Sequence, residues 1–305
     1  MHPLIKSCGR DIRVQGRLLR IACLDADKYQ FVDDPEPVLD GLRKCGTRVD
    51  LFTFMQKLPE TAPKFRYPME PDNLAVLAVS TFDHWWTKQV DAKTRNMVRK
   101  AEKKGVVVRE VAFDDALVKG IWEIYNETPV RQGKPNSHYG KDIRTVYAEE
   151  ATFPESSVFI GAYFNDSLIG FARLVQDGTG TQAGMMNIVS MVCHRDKAPT
   201  NALVAHAVRC CADWGIPYLV YAGFTYGKKQ QDTLADFKRN NGFQQIDLPR
   251  YYVPLTPLGS LAFRLGLHHK LADRLPEPVA AKLRDLRKSW YNRKFSVRNE
   301  RLFEG

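Results

Sequence analysis

Apolar and polar segments alternate regularly between residues 183 and 252 of this 305-residue chain. In order, they predict a strand at 185–192, a polar loop at 194–201, a helix at 202–214, a strand at 217–222, a helix at 233–240 and a strand at 250–253. The order is therefore strand, loop, helix, strand, helix, strand. The loop at 194–201 is the segment of this region where we expect a ligand.

The first 80 residues carry shorter segments of the same kind. They predict strands at 18–23, 29–32, 49–54 and 74–79, a helix at 37–45 that ends at Gly46, and a loop at 58–71. This set is short, and we interpret it as a partial α/β unit that extends a sheet.

The middle of the chain adds a long helix and several strands. From Thr81 to Gly105, apolar Trp86, Val90, Met97 and Ala101 recur at helical spacing and predict one helix. The following elements are a strand at 106–111, a helix at 114–128, a loop at 129–139 and strands at 158–163, 168–174 and 182–192. Asn165-Asp166 predicts a hairpin turn between two of these strands.

The start of the helix after loop 194–201 has the chemistry of an anion site. Pro199 suits a first helical turn, and Thr200 and Asn201 can cap the helix. Free N–H groups at a helix start favour phosphate or carboxylate, and Arg195 and Lys197 add two cations. The same residues also fit an ordinary helix start with solvated charges.

Five segments carry a resemblance to a known family. They are residues 93–105 (KTRNMVRKAEKKG), 158–162 (VFIGA), 167–173 (SLIGFAR), 199–203 (PTNAL), and Phe237-Lys238 followed by Gly242-Phe243. In this order and spacing the chain resembles the GNAT superfamily of N-acyltransferases. Within it, the chain resembles the Fem-type branch, which adds amino acids to peptidoglycan precursors. The resemblance covers roughly residues 91–257.

The resemblance implies an α/β fold, with a GNAT-like mixed sheet flanked by helices. We expect three parts: a partial N-terminal GNAT-like half at 1–80, an acyltransferase domain at 81–256 and a basic helical C-terminal extension at 257–305. In such a fold the strands before and after the ligand loop splay apart and leave a cleft for the donor.

The resemblance and the local chemistry together suggest the site residues. The donor-binding set is Arg195, Lys197, Thr200, Asn201 and Phe237. The proposed catalytic residues are Lys238, an oxyanion stabiliser, and Tyr226, a proton donor; the alternatives are a solvated lysine and a surface aromatic residue. The substrate set is Arg131, which could neutralise an acidic acceptor, and Asn187 and Ser190, which could instead pair with backbone. No general base is assigned, and Asp232 and Asp236 are candidates only by proximity.

The donor is left open between aminoacyl-tRNA and acyl-CoA, each a co-substrate rather than a permanently bound cofactor. The usual GNAT pyrophosphate loop contains glycines, whereas residues 195–200 contain none, so close backbone approach to a pyrophosphate is less assured. Lys238 also stands where many acetyltransferases carry a tyrosine. Both departures favour the aminoacyl donor slightly, and the acceptor is an amine.

The basic balance of the chain supports a polyanionic partner such as tRNA. The net charge is +10 and the isoelectric point about 9.3. We expect a phosphate track on two helices, made of Lys93, Arg95, Arg99, Lys103, Arg284, Arg287 and Lys288. A solvated helix face is the alternative. The C-terminal segment also fits a surface for anionic lipid.

Several other classes of site and compartment are not indicated. The six cysteines form no C-x-x-C motif and no metal-ligand spacing, so no metal is predicted and a cytoplasmic location fits. No secretory signal or membrane span is predicted, and no Ser–His–Asp or Cys–His arrangement is visible. The competing function is a non-catalytic nucleic-acid-binding protein on a degenerate acyltransferase fold.

Overall fold

A computed structural model describes residues 4–7, 9–26, 29–131, 134–225 and 233–269. The strands of this part are β1 (Leu4–Ser7), β2 (Arg10–Gln15), β3 (Ile21–Leu24), β4 (Leu51–Met55), β5 (Met69–Ala78), β6 (Val107–Val111), β7 (Val130–Arg131), β8 (Lys134–Pro135), β9 (Ser157–Phe164), β10 (Ser167–Gln176), β11 (Gln182–Ser190), β12 (Tyr218–Gly223) and β13 (Gln244–Pro254). The helices are α1 (Glu36–Lys44), α2 (Phe82–His84), α3 (Ala92–Lys103), α4 (Asp115–Asn126), α5 (Ile143–Glu150), α6 (Pro199–Asp213), α7 (Thr233–Asn240) and α8 (Pro257–Arg264).

One mixed sheet runs through both halves of the described chain. Within the described residues it has eleven strands in the order β1-β2-β3-β4-β13-β5-β12-β11-β10-β9-β6. The late strand β13 lies between β4 and β5 and pairs antiparallel with both. The strands of the first 80 residues therefore extend the sheet, as predicted. Strand β13 joins β4 to β5, and β5 pairs with β12 of the second half. The domain boundaries at 80 and 256 stay predictions.

Helices cover both faces of the second half of the sheet. α3 and α6 pack on one face of the sheet and enclose a core with side chains of β9 to β12. This core includes Ile160 and Leu174 from the strands and Leu203 from α6. α4 and α5 enclose another on the opposite face, around Ile121, Phe159 and Phe171. The mixed sheet with flanking helices confirms the predicted α/β class.

The predicted helix from Thr81 to Gly105 is wrong as a single element. α2 continues into a π-helical turn (Trp85–Gln89), and Val90 is extended with φ −80° and ψ 140°. Asp91 then caps α3 by accepting from the N–H of Thr94 at 2.5 Å. An aspartate in this position starts a new helix because it satisfies a free N–H of the first turn.

The apolar stripe predicted on that segment is partly correct. Val90 and Ala101 are buried, whereas Trp86 and Met97 are half-buried. The fully buried ring is that of the neighbouring Trp85, whose indole N–H donates to the carbonyl of Asn241 at 2.9 Å. The π-helical turn shifts the buried face by one residue relative to an ideal α-helix.

Other differences concern the ends of elements. Residues 29–32 are not a strand, and β1 and β2 precede the first strand that the pattern predicts. The turn between β9 and β10 is confirmed, because Asn165 (φ 48°) and Asp166 (φ 62°) both take the left-handed conformation that such tight hairpins require. None of the helices in the described part of the chain has the length and apolarity to cross a bilayer.

Candidate functional site

The central feature of the site is a gap between β11 and β12. These strands pair in parallel only from Gln182 to Gly184 on β11 and from Tyr218 to Val220 on β12. Beyond this point β11 stays paired with β10, whereas β12 follows β5 through an irregular register between Val220 and Gly223. Ala222 takes a positive φ of 45° at this irregularity. The predicted splay of the two strands is therefore present.

A cavity of about 600 Å³ lies in this gap. Its wall is built from α3, the end of β11, the start of α6, β12 and α7. The lining residues are Met97, Arg131, Ile188, Val189, Ser190, Met191, Val192, Arg195, Ala198, Pro199, Thr200, Asn201, Tyr221, Thr233, Leu234 and Phe237. The fold thus brings six predicted site residues together: Arg131, Ser190, Arg195, Thr200, Asn201 and Phe237.

The helix start at the cavity differs from the prediction. α6 begins at Pro199, three residues earlier than predicted, and Ala198 is its cap with a left-handed φ of 53°. Thr200 and Asn201 lie inside the first turn, so their predicted capping role is wrong. Because Ala198 offers no polar side chain, the N–H groups of this turn keep no side-chain cap, as an anion-binding helix start requires.

Two hydroxyl groups join the strand end to the helix start. The Oγ of Ser190 on β11 and the Oγ1 of Thr200 on α6 lie 2.7 Å apart. Both residues line the cavity. This contact ties the end of β11 to the first turn of α6 at the polar end of the cavity.

Arg131 reaches the cavity from β7, the short strand after α4. Its guanidinium donates to the carbonyl of Ser190 and lies 3.8 Å from the carboxylate of Glu127. Burial lowers the pKa of Arg131, and the nearby Arg195 acts in the same direction, while Glu127 opposes both. The cavity therefore contains two guanidinium groups, a polar environment suited to an anionic ligand.

Glu127 is a site residue that sequence reasoning missed. Its carboxylate accepts from the backbone N–H of Val192 at 2.7 Å and of Cys193 at 2.8 Å. Burial alone raises its pKa, but these two hydrogen bonds and Arg131 outweigh burial, and the net pKa of Glu127 is lowered. Two N–H groups at the end of β11 are thus occupied by a carboxylate. No local motif around Glu127 indicates this long-range contact.

Lys238 is buried rather than solvated, so the solvated alternative is wrong. Its ammonium donates to the carbonyl of Gly223 at the end of β12 and lies 4.7 Å from the ring centre of Tyr221. Tyr221 lines the cavity, whereas Lys238 does not. The lysine therefore places its charge in the β12 wall, behind an aromatic ring.

Asn187 lies in a buried polar network instead of the cavity. Its amide donates to the hydroxyl of Tyr125 at 3.1 Å. That hydroxyl donates to Glu150 at 2.7 Å, and Arg173 lies 3.5 Å from the same carboxylate. Asn187 thus contributes to the support beneath the site and is not among the residues that line the cavity.

The remaining predicted residues have mixed positions. The ammonium of Lys197 lies 4.7 Å from the ring centre of Phe164, and Lys197 does not line the cavity. Asp236, a candidate base, is exposed and paired with Arg239 at 2.6 Å. The predicted residues Tyr226, Asp232, Arg284, Arg287 and Lys288 lie outside the described residues.

The basic face of α3 borders the cavity through Met97. Lys93, Arg99 and Lys103 are exposed. The guanidinium carbon of Arg99 lies 5.5 Å from the ring centre of Trp86. Arg95 is different, because its guanidinium donates to the carbonyls of Trp86 at 3.2 Å and Val90 at 2.6 Å. Arg95 therefore holds the break between the π-helical turn and α3.

Three solved structures share this architecture. No family model and no curated protein matches the chain. The C-terminal domain of a protein described as a lysylphosphatidylglycerol synthetase, from Agrobacterium fabrum, has a TM-score of 0.56 and 14% identity, over 86% of this chain and 87% of that one. FemX has a TM-score of 0.53 and 12% identity, over 83% and 86%.

The third structure is L-PGS from Bacillus licheniformis. It has a TM-score of 0.56 and 11% identity, over 86% of this chain and 87% of that one. Identities this low establish the fold alone. They confirm the predicted resemblance at the level of the fold, because the chain shares the fold of FemX and of the other two structures. The cavity lies in the cleft between the splayed strands of this fold.

Proposed function

We propose that this protein is an N-acyltransferase that moves an activated acyl or aminoacyl group to an amine. The observation that carries the proposal is the cavity between β11 and β12, which combines an uncapped helix start with Arg131 and Arg195. A phosphate of the donor fits this end because helix-start N–H groups and guanidinium groups both favour anions. Two of the structural neighbours are named FemX and lysylphosphatidylglycerol synthetase, which supports an amino acid as the transferred group.

The chemistry is direct transfer. The acceptor nitrogen attacks the donor carbonyl, a C–N bond forms, and the C–O or C–S bond to the leaving group breaks after a tetrahedral intermediate. The nitrogen loses one proton, and the leaving oxygen or sulfur gains one. The protein mainly positions the two reactants and stabilises the negative oxygen. A unit positive charge about 8 Å from that oxygen contributes about 2 kcal/mol at an effective dielectric constant of about 20. Lys238, buried behind Tyr221 in the cavity wall, is the candidate for this charge.

Between the two donors, we propose aminoacyl-tRNA. Glu127 occupies the N–H groups of Val192 and Cys193 with a carboxylate. A compact diphosphate bound to the same strand end would lose these donors and meet a like charge. A tRNA spreads its phosphates, and exposed Lys93, Arg99 and Lys103 on α3 could contact them beside the cavity. Acyl-CoA is the competing donor.

The test compares two neighbouring cations. Purified protein is titrated with aminoacylated tRNA, uncharged tRNA and acetyl-CoA at two salt concentrations, and transfer to amine acceptors is followed. Arg195→Ala should weaken donor binding about 10–100-fold, because charge-assisted hydrogen bonds contribute about 1.5–3 kcal/mol. Lys197→Ala, which removes a cation outside the cavity, is the matched control and should change binding about twofold or less.

The outcomes separate the hypotheses. Preference for charged over uncharged tRNA, with transfer that depends on Arg195, supports the aminoacyl donor. Tight binding of acetyl-CoA with weak dependence on salt would reverse the choice of donor. Salt-dependent binding of tRNA without discrimination and without transfer would replace the enzyme with the nucleic-acid-binding protein.

A further inference from the structure

Three side chains of metal-binding type meet outside the cavity, at the edge of the sheet. They are Glu110 on the edge strand β6, and His206 and Cys210 on α6. Their ligand atoms all lie within 4.8 Å of one another. The Sγ of Cys210 is 3.4 Å from Oε1 of Glu110.

The backbone positions of this cluster are well suited to a shared ligand. His206 and Cys210 are four residues apart on one helix, so their side chains lie on the same face one above the other. α6 is anchored in the core through buried Leu203, Ala207 and Cys211. Two of the three groups are therefore carried by one anchored helix, and the third, Glu110, is an exposed side chain.

The imidazole of His206 and the thiol of Cys210 remain available to bind a metal ion. No hydrogen bond to the imidazole of His206 is found among the described residues, although this residue is half-buried. Cys210 is 3% exposed, and its thiol contacts the carboxylate. Cys210 is buried and His206 half-buried while Glu110 is exposed, so a fourth position on a bound ion would open to water.

The donor set selects the type of metal. A thiolate with an imidazole and a carboxylate suits Zn²⁺ or Co²⁺, whereas Mg²⁺ and Ca²⁺ prefer oxygen ligands. Ligand atoms of tetrahedral zinc lie about 3.5 Å apart, given bonds of roughly 2.0–2.3 Å. Cys210 Sγ and Glu110 Oε1 already lie at this separation, 3.4 Å apart. The other ligand atoms lie within 4.8 Å, so side-chain rotations that shorten a distance by at most about 1.3 Å complete the site.

We propose that Glu110, His206 and Cys210 form a Zn²⁺ site that ties the edge strand β6 to α6. On binding, the Cys210 thiol releases its proton to solvent and the thiolate coordinates the ion, with water in the fourth position. The site stabilises the helix whose first turn lines the cavity. It takes no part in the transfer reaction proposed above and stands independently of it.

The experiment uses Co²⁺ as a spectroscopic probe of the metal-free, tag-free protein, in a Cys193→Ser background that removes an exposed thiol. We expect a near-ultraviolet thiolate-to-cobalt band that saturates at one equivalent and disappears when Zn²⁺ is added. Cys210→Ser should abolish the band. Cys211→Ser, which removes the adjacent buried thiol, is the matched control and should retain it.

Two further measurements test the site, one of Co²⁺ binding by Glu110→Gln and one of melting temperature with Zn²⁺. Glu110→Gln alters an exposed residue and should not prevent folding, yet it should weaken Co²⁺ binding about tenfold or more. Zn²⁺ should raise the melting temperature of the parent and Cys211→Ser proteins, and it should raise that of Glu110→Gln less at the same concentration. The cluster of Glu70, His268 and His269 also groups potential ligands but has no thiol, so cobalt bound there gives no such band. Absence of the band in the parent protein, or its survival in Cys210→Ser, would overturn the proposal.

Discussion

Glu127 and Arg131 both bind backbone groups at the end of β11, and their carboxylate and guanidinium groups lie 3.8 Å apart. Arg131 donates to the carbonyl of Ser190, and Glu127 accepts from the next two free N–H groups, those of Val192 and Cys193. Glu127 follows the last residue of α4, where a negative charge is unfavourable to the helix dipole. Arg131 and the two N–H groups offset that cost, so the ion pair fixes the strand end that borders the cavity.

Glu127→Gln should destabilise the protein by about 1–3 kcal/mol, because an amide oxygen cannot replace both carboxylate contacts. Because the pKa of Glu127 is lowered from 4.5, its stabilising effect is present above pH 4.5. The effect is lost as the pH falls through the lowered value. Denaturant unfolding from about pH 7 to about pH 3 should therefore show the parent and variant converging towards acid. A constant difference in stability across this range would contradict the assigned ionisation.

Lys238→Met should lower turnover about 10–100-fold, since a charge near the oxyanion accounts for roughly 2 kcal/mol. Methionine keeps most of the volume of the buried side chain, so the fold should survive. Binding of tRNA should stay within about twofold, because Lys238 is buried and does not line the cavity. Measurement of kcat separately from donor affinity checks this, and Arg239→Met is the control on the exposed face of the same helix. Equal reductions of turnover in both variants would remove Lys238 from the mechanism.

The buried network beneath the site should be sensitive to removal of one charge. Arg173→Met leaves the carboxylate of Glu150 uncompensated and should cost about 3–5 kcal/mol. Burial already raises the pKa of Glu150 even though Tyr125 and Arg173 lower it, so removal of Arg173 should raise that pKa further.

A second variant separates charge from packing in this network. The double variant E150M/R173M should recover part of the stability, because an apolar pair can replace a buried ion pair at little cost. Urea unfolding of the parent, both single variants and the double variant gives the coupling free energy between Glu150 and Arg173. A double variant destabilised by the sum of the two single effects would show that the pair is not coupled.

The cationic residues of α3 should differ in whether their substitution changes tRNA binding or the stability of the protein. Substitution of exposed Lys93 and Lys103 by Gln should leave the melting temperature nearly unchanged. It should reduce the slope of log affinity for tRNA against log salt by up to about 0.9 for each phosphate that the variant no longer neutralises. Arg95→Gln should instead lower the melting temperature, because Arg95 binds the carbonyls of Trp86 and Val90. An unchanged salt slope in the lysine variant would remove α3 from the nucleic-acid surface.

Some features of the fold could be predicted because they depend on neighbours in the chain. The hairpin at Asn165-Asp166 follows from two residues that tolerate positive φ. The order of strands and helices from 183 to 252 follows from apolar periodicity. The same reasoning failed at Val90 and Asp91, because a π-helical turn and an aspartate cap interrupted a pattern that was periodic on either side.

By itself, the sequence determined the local elements, the proline in the first turn of α6 and most of the residues from which the polar end of the cavity is built. The tertiary structure alone decided how they are used. It placed Arg131 against Ser190, 59 positions away, buried Lys238 behind Tyr221, and joined Asn187 to Tyr125 instead of the cavity. It also brought Glu110 to Cys210 across 100 positions. The physical reason is that apolar periodicity and capping act over a few residues, whereas these contacts depend on strand order and on where β11 and β12 part.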